Sequence, residues 1–391
     1  MELTTDRLRA LAETRSPEGK VLSAFINLDP HEFPTPAARA TEIRAVLDDA
    51  QRRVRDRSDL TAAEREALGA DIARVRDHLA GAGASEMTGG ARGLAIFASQ
   101  PAGLFEVLPL SAPVSPEVKI ADRPAVATIA RLATAKPWWV LLVDRRHARL
   151  LSGSGDGIAE HWRTEDPVAG RHDQSPSHAR DQGGTSHERH QRSAEKDVAD
   201  HLRGVVAELR RLLDDEPSAG LVLGGPAETT RQLRDLLPAD LARTVCCEVE
   251  TDVWASSPVQ VLAAIKPDLA RVQAERDEAL LAQLADAIGT GKGAAGVAAV
   301  LDAVNERRVA KIAIAAGTSA IGVRCPACGW LGISAGGTCP SCETMTEAVD
   351  DIVEEGAARA LAQGADIHVL PADADGGLLA RHDGLVAGLR F

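Results

Sequence analysis

The chain has 391 residues, a formal charge of −13, and 45% hydrophobic and 26% charged residues, which fits two or three globular cores rather than a disordered polymer. The acidic total excludes a protein that coats nucleic acid over its whole surface, while a local basic footprint remains open because phosphate binding depends on clustered Lys and Arg. There is no Tyr and only five Phe and five Trp, which argues against an aromatic platform for stacking bases.

The first twenty residues mix acids and bases without an apolar core, so no secretory signal is expected and the location expected is cytoplasmic. Lys20 to Leu28 reads as a strand that Asp29-Pro30 stops. Ile43, Val46, Leu47, Ala50 and Val54 then follow helical spacing, as do Leu68, Ile72, Val75 and Leu79. The arginines among Arg39 to Arg57 are interleaved with Asp48, Asp49 and Asp56, and so read as a solvated face. Gly81 to Arg92 is a glycine-rich loop, followed by strands Gly93–Ala98 and Leu104–Leu110. A first domain is expected over 1–133.

The second opens with Trp138–Val143, the longest apolar run and far below the ~18 residues of a membrane-spanning helix. Asp144-Arg145-Arg146 and a second apolar run, His147–Leu151, complete a hairpin pattern. From Thr164 to Arg192 apolar side chains nearly vanish, as in functional or disordered loops. An amphipathic helix follows, carrying Val198, Leu202, Val205, Leu209 and Leu212 on one face. Strands at Leu221–Leu223 and Thr244–Val249 flank a helix near Thr229–Leu237, and Gly224-Gly225-Pro226 serves as the turn into that helix. This second domain is expected over 134–256. A third, over 257–391, has a long helix from Pro258, a helix Ala295–Glu306, a strand Val309–Ala315, a Cys-containing insertion, another helix and two short strands. The fold class expected is α/β, as three α/β domains with a zinc ribbon over 322–345 in the last.

Cys325-Pro326-Ala327-Cys328 and Cys339-Pro340-Ser341-Cys342 carry the sharpest chemistry. Two C-x-x-C pairs offer four thiolates to one tetrahedral ion and leave no open position, which describes a structural zinc; a dithiol redox pair or an empty, degenerate ribbon are the alternatives. Cys246-Cys247 sit side by side in a predicted strand, which would send their side chains to opposite faces as inert thiols. In the polar loop, Arg171, Arg180, Arg189 and Arg192 alternate with histidines around Gly183-Gly184. Arginines hold phosphates bidentately, and paired glycines allow close backbone approach. Four histidines there show no firm metal-ligand spacing. Thr185, Ser186 and His187 are neighbours, but adjacency in sequence does not make a nucleophile and a base. No Walker-type loop is present, and no catalytic residue is assigned.

Four pieces in order along the chain resemble the archaeal and eukaryotic peptide-chain release factor superfamily, which includes Pelota, and within it a bacterial branch related to the ribosome hibernation factor Balon. They are the run Trp139 to Arg149, the Gly183-Gly184 loop leading into a long helix, Ala303 to Val309 before a strand, and the zinc ribbon with the closing Gly384 to Phe391. The resemblance implies a ribosome-binding hibernation factor that fills the vacant A site of idle 70S ribosomes. The first domain would face the decoding region. The loop residues Arg171, Arg180, Gly183, Gly184, Thr185, His187, Arg189 and Arg192 would meet rRNA or a P-site tRNA. Elongation factor Tu or another translational GTPase is a further implied partner, and no membrane is. Release factors of the superfamily carry Gly-Gly-Gln in this loop; here Thr185 stands in place of the glutamine, and the Asn-Ile-Lys-Ser tetrapeptide used near stop codons is missing. Both departures point away from an enzyme. The alternative is a peptidyl-tRNA hydrolase or rescue release factor acting through Gly183-Gly184, and a stress protein with a disordered loop is the third class.

Overall fold

The computed structural model describes residues 5–16, 19–30, 32–80, 91–134, 137–154, 157–165, 185–213, 218–333, 337–371 and 377–391, and the side chains of all of these but 5, 131–134, 154 and 185–194. It is a mixed α/β structure with two compact units, one made of residues 1–134 and 274–391, the other of residues 135–273. Among the described residues no helix is long and apolar enough to cross a membrane.

The N-terminal part runs α1 (Thr5–Glu13), β1 (Val21–Asn27), α2 (Pro36–Asp56), α3 (Ala62–Ala80), β2 (Gly93–Ser99), β3 (Leu104–Leu110), β4 (Glu117–Ala121) and α4 (Ala127–Thr134). Helix α2 begins where the Thr35 hydroxyl accepts from the Ala38 amide and Pro36 occupies the first turn, a position where a missing N–H costs nothing. The sheet is antiparallel in the order β3-β2-β1-β4. Strands β1 and β2 are buried along their whole length because both faces are covered. Leu22, Ala24 and Ile26 pack against α2 and α3. Phe25 and Phe97 point the other way, into a core shared with Leu8, Val300, Leu301 and Ile352. The arginines of α2 are held locally: Arg52 and Arg53 bond Asp49, and Arg53 and Arg57 donate to the carbonyls of Val118 and Ile120.

The middle unit contains β5 (Trp138–Val143), β6 (His147–Ser154), β7 (Gly157–Glu165), α5 (Thr185–Leu212), β8 (Gly220–Gly224), α6 (Ala227–Leu236), α7 (Ala239–Ala242) and β9 (Val245–Val249). Its sheet has the order β7-β6-β5-β8-β9; β5, β6 and β7 are antiparallel, and β5, β8 and β9 parallel. Central β5 is covered on both sides, which explains its unbroken apolar run. Leu141 and Val143 meet Leu202, Val205 and Leu209 of α5, whereas Val140 and Leu142 meet Val261 and Ile265 of α8 (Pro258–Gly289). A side chain at Gly225 would collide with the Val143 carbonyl, 2.0 Å from where a Cβ would sit, and φ there is +138°. Close backbone approach, not an anion site, accounts for the Gly224-Gly225-Pro226 turn.

Strand β9 corrects the expectation for its two cysteines. Leu221 pairs with Val245 but Val222 with Cys247, so a bulge falls at Cys246. The Cys246 and Cys247 sulfurs lie 3.9 Å apart, and both side chains pack on the same core. The strict alternation of a regular strand would have separated them.

The C-terminal part continues from α8 with β10 (Gly293–Ala295), α9 (Val297–Asn305), β11 (Val309–Ala315), β12 (Gly322–Arg324), β13 (Leu331–Gly332), β14 (Glu347–Val349), α10 (Ile352–Ala362), β15 (Asp366–Leu370), α11 (Leu378–Arg381) and β16 (Leu385–Leu389). One sheet has the order β10-β16-β11-β15 and a small one β13-β12-β14. Helix α10 packs against α1, and its first turn is tied to the N-terminal part by charge. Glu355 meets Arg123 at 3.0 Å and Arg15 at 3.4 Å; Lys119 meets Asp351 at 3.3 Å and Glu354 at 3.4 Å. Glu354 also accepts from the Ala127 amide at 2.7 Å. Burial pushes its carboxyl above 4.5, against the opposing pull of Lys119.

Candidate functional site

The insertion between β11 and α10 brings the four expected cysteines together. The ligand atoms of Cys325, Cys328, Cys339 and Cys342 all lie within 4.8 Å of one another, with Cys325–Cys342 at 3.4 Å and Cys328–Cys339 at 3.5 Å. Two equivalent turns do this. The Cys328 amide donates to the Cys325 sulfur and the Gly329 amide to the Cys325 carbonyl; the Ser341 and Glu343 amides repeat the pattern on Cys339. Gly329 and Glu343 close these turns with φ of +77° and +61°. In each pair the first cysteine is buried and the second exposed. A tetrahedral zinc with bonds of about 2.3 Å sets its sulfurs roughly 3.8 Å apart, so the cluster is the right size to hold a metal ion. A hydrogen bond with the Thr344 side chain pulls the Cys342 thiol down to about 6.

The small sheet is fastened to the main body by side chains. Asn305, at the end of α9, donates to the Leu331 carbonyl at 2.8 Å and accepts from the Leu331 amide at 3.0 Å. Arg359 of α10 donates to the Gly329 carbonyl. Arg324, one residue before the first ligand, meets Asp122 at 2.5 Å.

The polar loop is placed only in part. Arg171, Arg180, Gly183 and Gly184 lie outside the described residues, and Thr185, His187, Arg189 and Arg192 belong to the first turns of α5, where the backbone alone is described.

A second constellation, at the Trp139 to Arg149 motif, lies within the described residues. Leu150 pairs with Trp162 but Leu151 with Glu160, so β7 bulges at His161. That bulge brings Glu160 and Arg163, three residues apart, to the same face as Arg149, where a regular strand would have opposed them. Buried Arg149 is bonded through Nε and Nη2 to Glu160 and donates through Nη1 to the carbonyls of Val253 at 2.9 Å and Ser256 at 2.7 Å. Although burial opposes it, hydrogen bonds from Arg149 and Arg163 hold the Glu160 carboxyl below 4.5. The clamped loop is closed further by Asp252, which accepts from the Trp254 and Ala255 amides, and by a Thr251–Ser256 hydroxyl pair. Trp254, at its tip, remains 47% exposed beside an open cleft of about 660 Å³ lined by Arg149, Glu160, His161 and Arg163.

Residues 124–270 match the model of bacterial archaeo-eukaryotic release factor family 10. The middle of the chain is thus similar to a release factor family of bacteria. The match takes in the β5–β6 hairpin, the polar loop, α5 and the Arg149 clamp. Solved structures of the superfamily cover more of the chain at low similarity. An archaeal translation termination factor, aRF1, is 16% identical over 100% of this chain and 99% of its own, with a TM-score of 0.27. A ribosome-bound archaeal Pelota model is 13% identical over 100% and 95%, with a TM-score of 0.41. Dom34 of S. cerevisiae is 8% identical over 74% and 73%, with a TM-score of 0.38. These likenesses are too distant to transfer any residue's role. No curated protein matches the sequence.

Within the release-factor region, the clamp and its tryptophan are what the sequence did not reveal. Arg149 lies in the Trp139 to Arg149 run, but the two carbonyls it holds are separated from it by 104 and 107 positions. Trp254 stands alone between a strand and a helix, where no periodicity marks it.

Proposed function

We propose that this release-factor-like protein binds bacterial ribosomes and fills the vacant A site of idle ones as a hibernation factor, without hydrolysing peptidyl-tRNA. The observation that carries the reading is the family match over 124–270 joined to the sequence Gly183-Gly184-Thr185. A hydrolytic loop must hold water within hydrogen-bond reach of the ester carbonyl, and threonine is shorter than glutamine and has no amide. The proposed division of labour follows the three expected domains. Residues 1–133 face the decoding region, and 134–256 carry the Arg/His loop toward the peptidyl-transferase centre or P-site tRNA. Residues 257–391, braced by zinc at the four cysteines, meet a translational GTPase of the elongation factor Tu kind. The four-thiolate donor set supports structural zinc, because it closes the coordination sphere and leaves no site for water.

Gly183-Gly184 favours the rival, a rescue release factor that still admits water. Incubation of the protein with ribosomes carrying a defined peptidyl-tRNA separates the two. The proposal expects no release above the rate without protein; turnover lost on Gly184→Ala or His187→Ala contradicts it and establishes the hydrolase.

A further inference from the structure

We infer that Trp254 is a stacking platform for an unpaired nucleobase of single-stranded RNA, with the adjoining phosphate held by Arg163. The inference deepens the ribosome-binding reading by assigning it a contact, and rests on it only for the source of the RNA. Its physical basis is a firmly held loop whose indole packs against the His147 ring, 4.7 Å between centroids, and is still half-exposed. Arg149, 4% exposed, binds Glu160 and two loop carbonyls, and Asp252 binds two loop amides. That rigid frame leaves a large aromatic ring 47% exposed. A fixed ring loses little freedom when a base settles on it, and every base offers a π face.

One fixed positive charge beside the ring, on Arg163, suits an anion-bearing ligand. The Arg163 guanidinium carbon lies 5.6 Å from the indole centroid. Arg163 spends only Nε, on Glu160; among the described residues its two Nη amines make no protein hydrogen bond and form a fork suited to a phosphate. The acids nearby are already engaged. Glu160 is shared by Arg149 and Arg163, Asp252 accepts two amides, Asp144 accepts from the Arg146 and His147 amides, and Glu165 meets Arg146 at 3.6 Å. A cleft of about 660 Å³ falls within the ~300–1,000 Å³ range of small-ligand sites and accommodates a nucleotide. Composition argued against an array of aromatic side chains; one pre-set indole suffices for one base.

The test uses the full chain and a short fluorescently labelled single-stranded RNA, followed by anisotropy at several salt concentrations. Wild-type protein is expected to bind, and Trp254→Ala to bind roughly tenfold or more weakly, the size expected of one lost stack. Trp254→Phe should fall between them. Arg163→Ala should weaken binding and flatten its salt dependence, because one phosphate contact is lost. Matched melting curves for all four proteins exclude misfolding as the cause. Equal affinity of wild type and Trp254→Ala, no binding by wild type, or full competition by duplex RNA overturns the platform. Ribosome sedimentation on the same proteins separates the two claims. RNA binding without ribosome binding refutes only the ribosomal reading; ribosome binding with no loss of RNA affinity in Trp254→Ala refutes only the platform.

Discussion

At the residue scale, Glu160 carries the clearest pH dependence. Its folded carboxyl titrates below its unfolded value of 4.5, so its contribution is fully present above about pH 4.5 and disappears as pH falls through the lower folded value. Protonation there unties Arg149 and Arg163 together. Trp254 fluorescence, read against Trp254→Phe as background, should therefore change below pH 4.5, and Glu160→Gln should show the change already at pH 7. A Glu160→Gln protein identical to wild type would remove Glu160 from the clamp. The four cysteines make the second residue-scale prediction. Purified protein should contain about one zinc per chain, and Cys325→Ser should lower the stability of the unit that holds the ribbon, since metal binding there is also folding energy. Metal-free protein with unchanged melting and four freely reactive thiols would contradict this. The clustering of the cysteines was legible in the sequence because two C-x-x-C pairs at this spacing match a zinc ribbon, and the four sulfurs do lie together. The clamp was not, because Glu160 reaches Arg149 only through a bulge at His161 that the β6–β7 pairing creates.

At the scale of elements, α10 is where the N-terminal and C-terminal parts of one unit are joined. Glu355 is buried among Arg15, Arg123 and Arg324, so its loss removes the carboxylate that Arg15 and Arg123 share, while Arg324 keeps Asp122. Glu355→Ala should cost roughly 3 kcal/mol in urea unfolding, the size seen when one partner of a buried pair is removed. By contrast Asp56→Ala, which breaks an exposed pair with Arg55, should cost about 1 kcal/mol or less. Equal effects of the two would show that the network does not hold the parts together. The elements themselves were readable where apolar periodicity is plain, as in α2, α5 and the β5–β6 hairpin. That the first and last parts share one core was not, because Phe25 and Ile352 of that core are separated in sequence by the whole middle unit. Cys246-Cys247 shows the same limit on a smaller scale: alternation predicts opposite faces, and one bulge reverses it.

At the scale of the whole molecule, a chain of net charge −13 can bind RNA, as proposed, only through local features. The proposed contacts are the arginines of the polar loop and the Trp254–Arg163 pair. Each neutralised phosphate releases counterions, so ribosome affinity should fall as salt rises. Replacing Arg171, Arg180, Arg189 and Arg192 by Ala should reduce both the affinity and its salt slope. The family was legible from the order of its motifs, and the match over 124–270 bears out that part. The proposed preference for an idle ribosome has no motif of its own, because it would be set by surfaces that meet only in the complex. The most direct measurement is sedimentation of the wild-type protein with ribosomes whose A site is vacant and with ribosomes whose A site is filled by tRNA. The account predicts that the protein pellets with the first and stays in the supernatant with the second. Equal pelleting with both, or with neither, contradicts it.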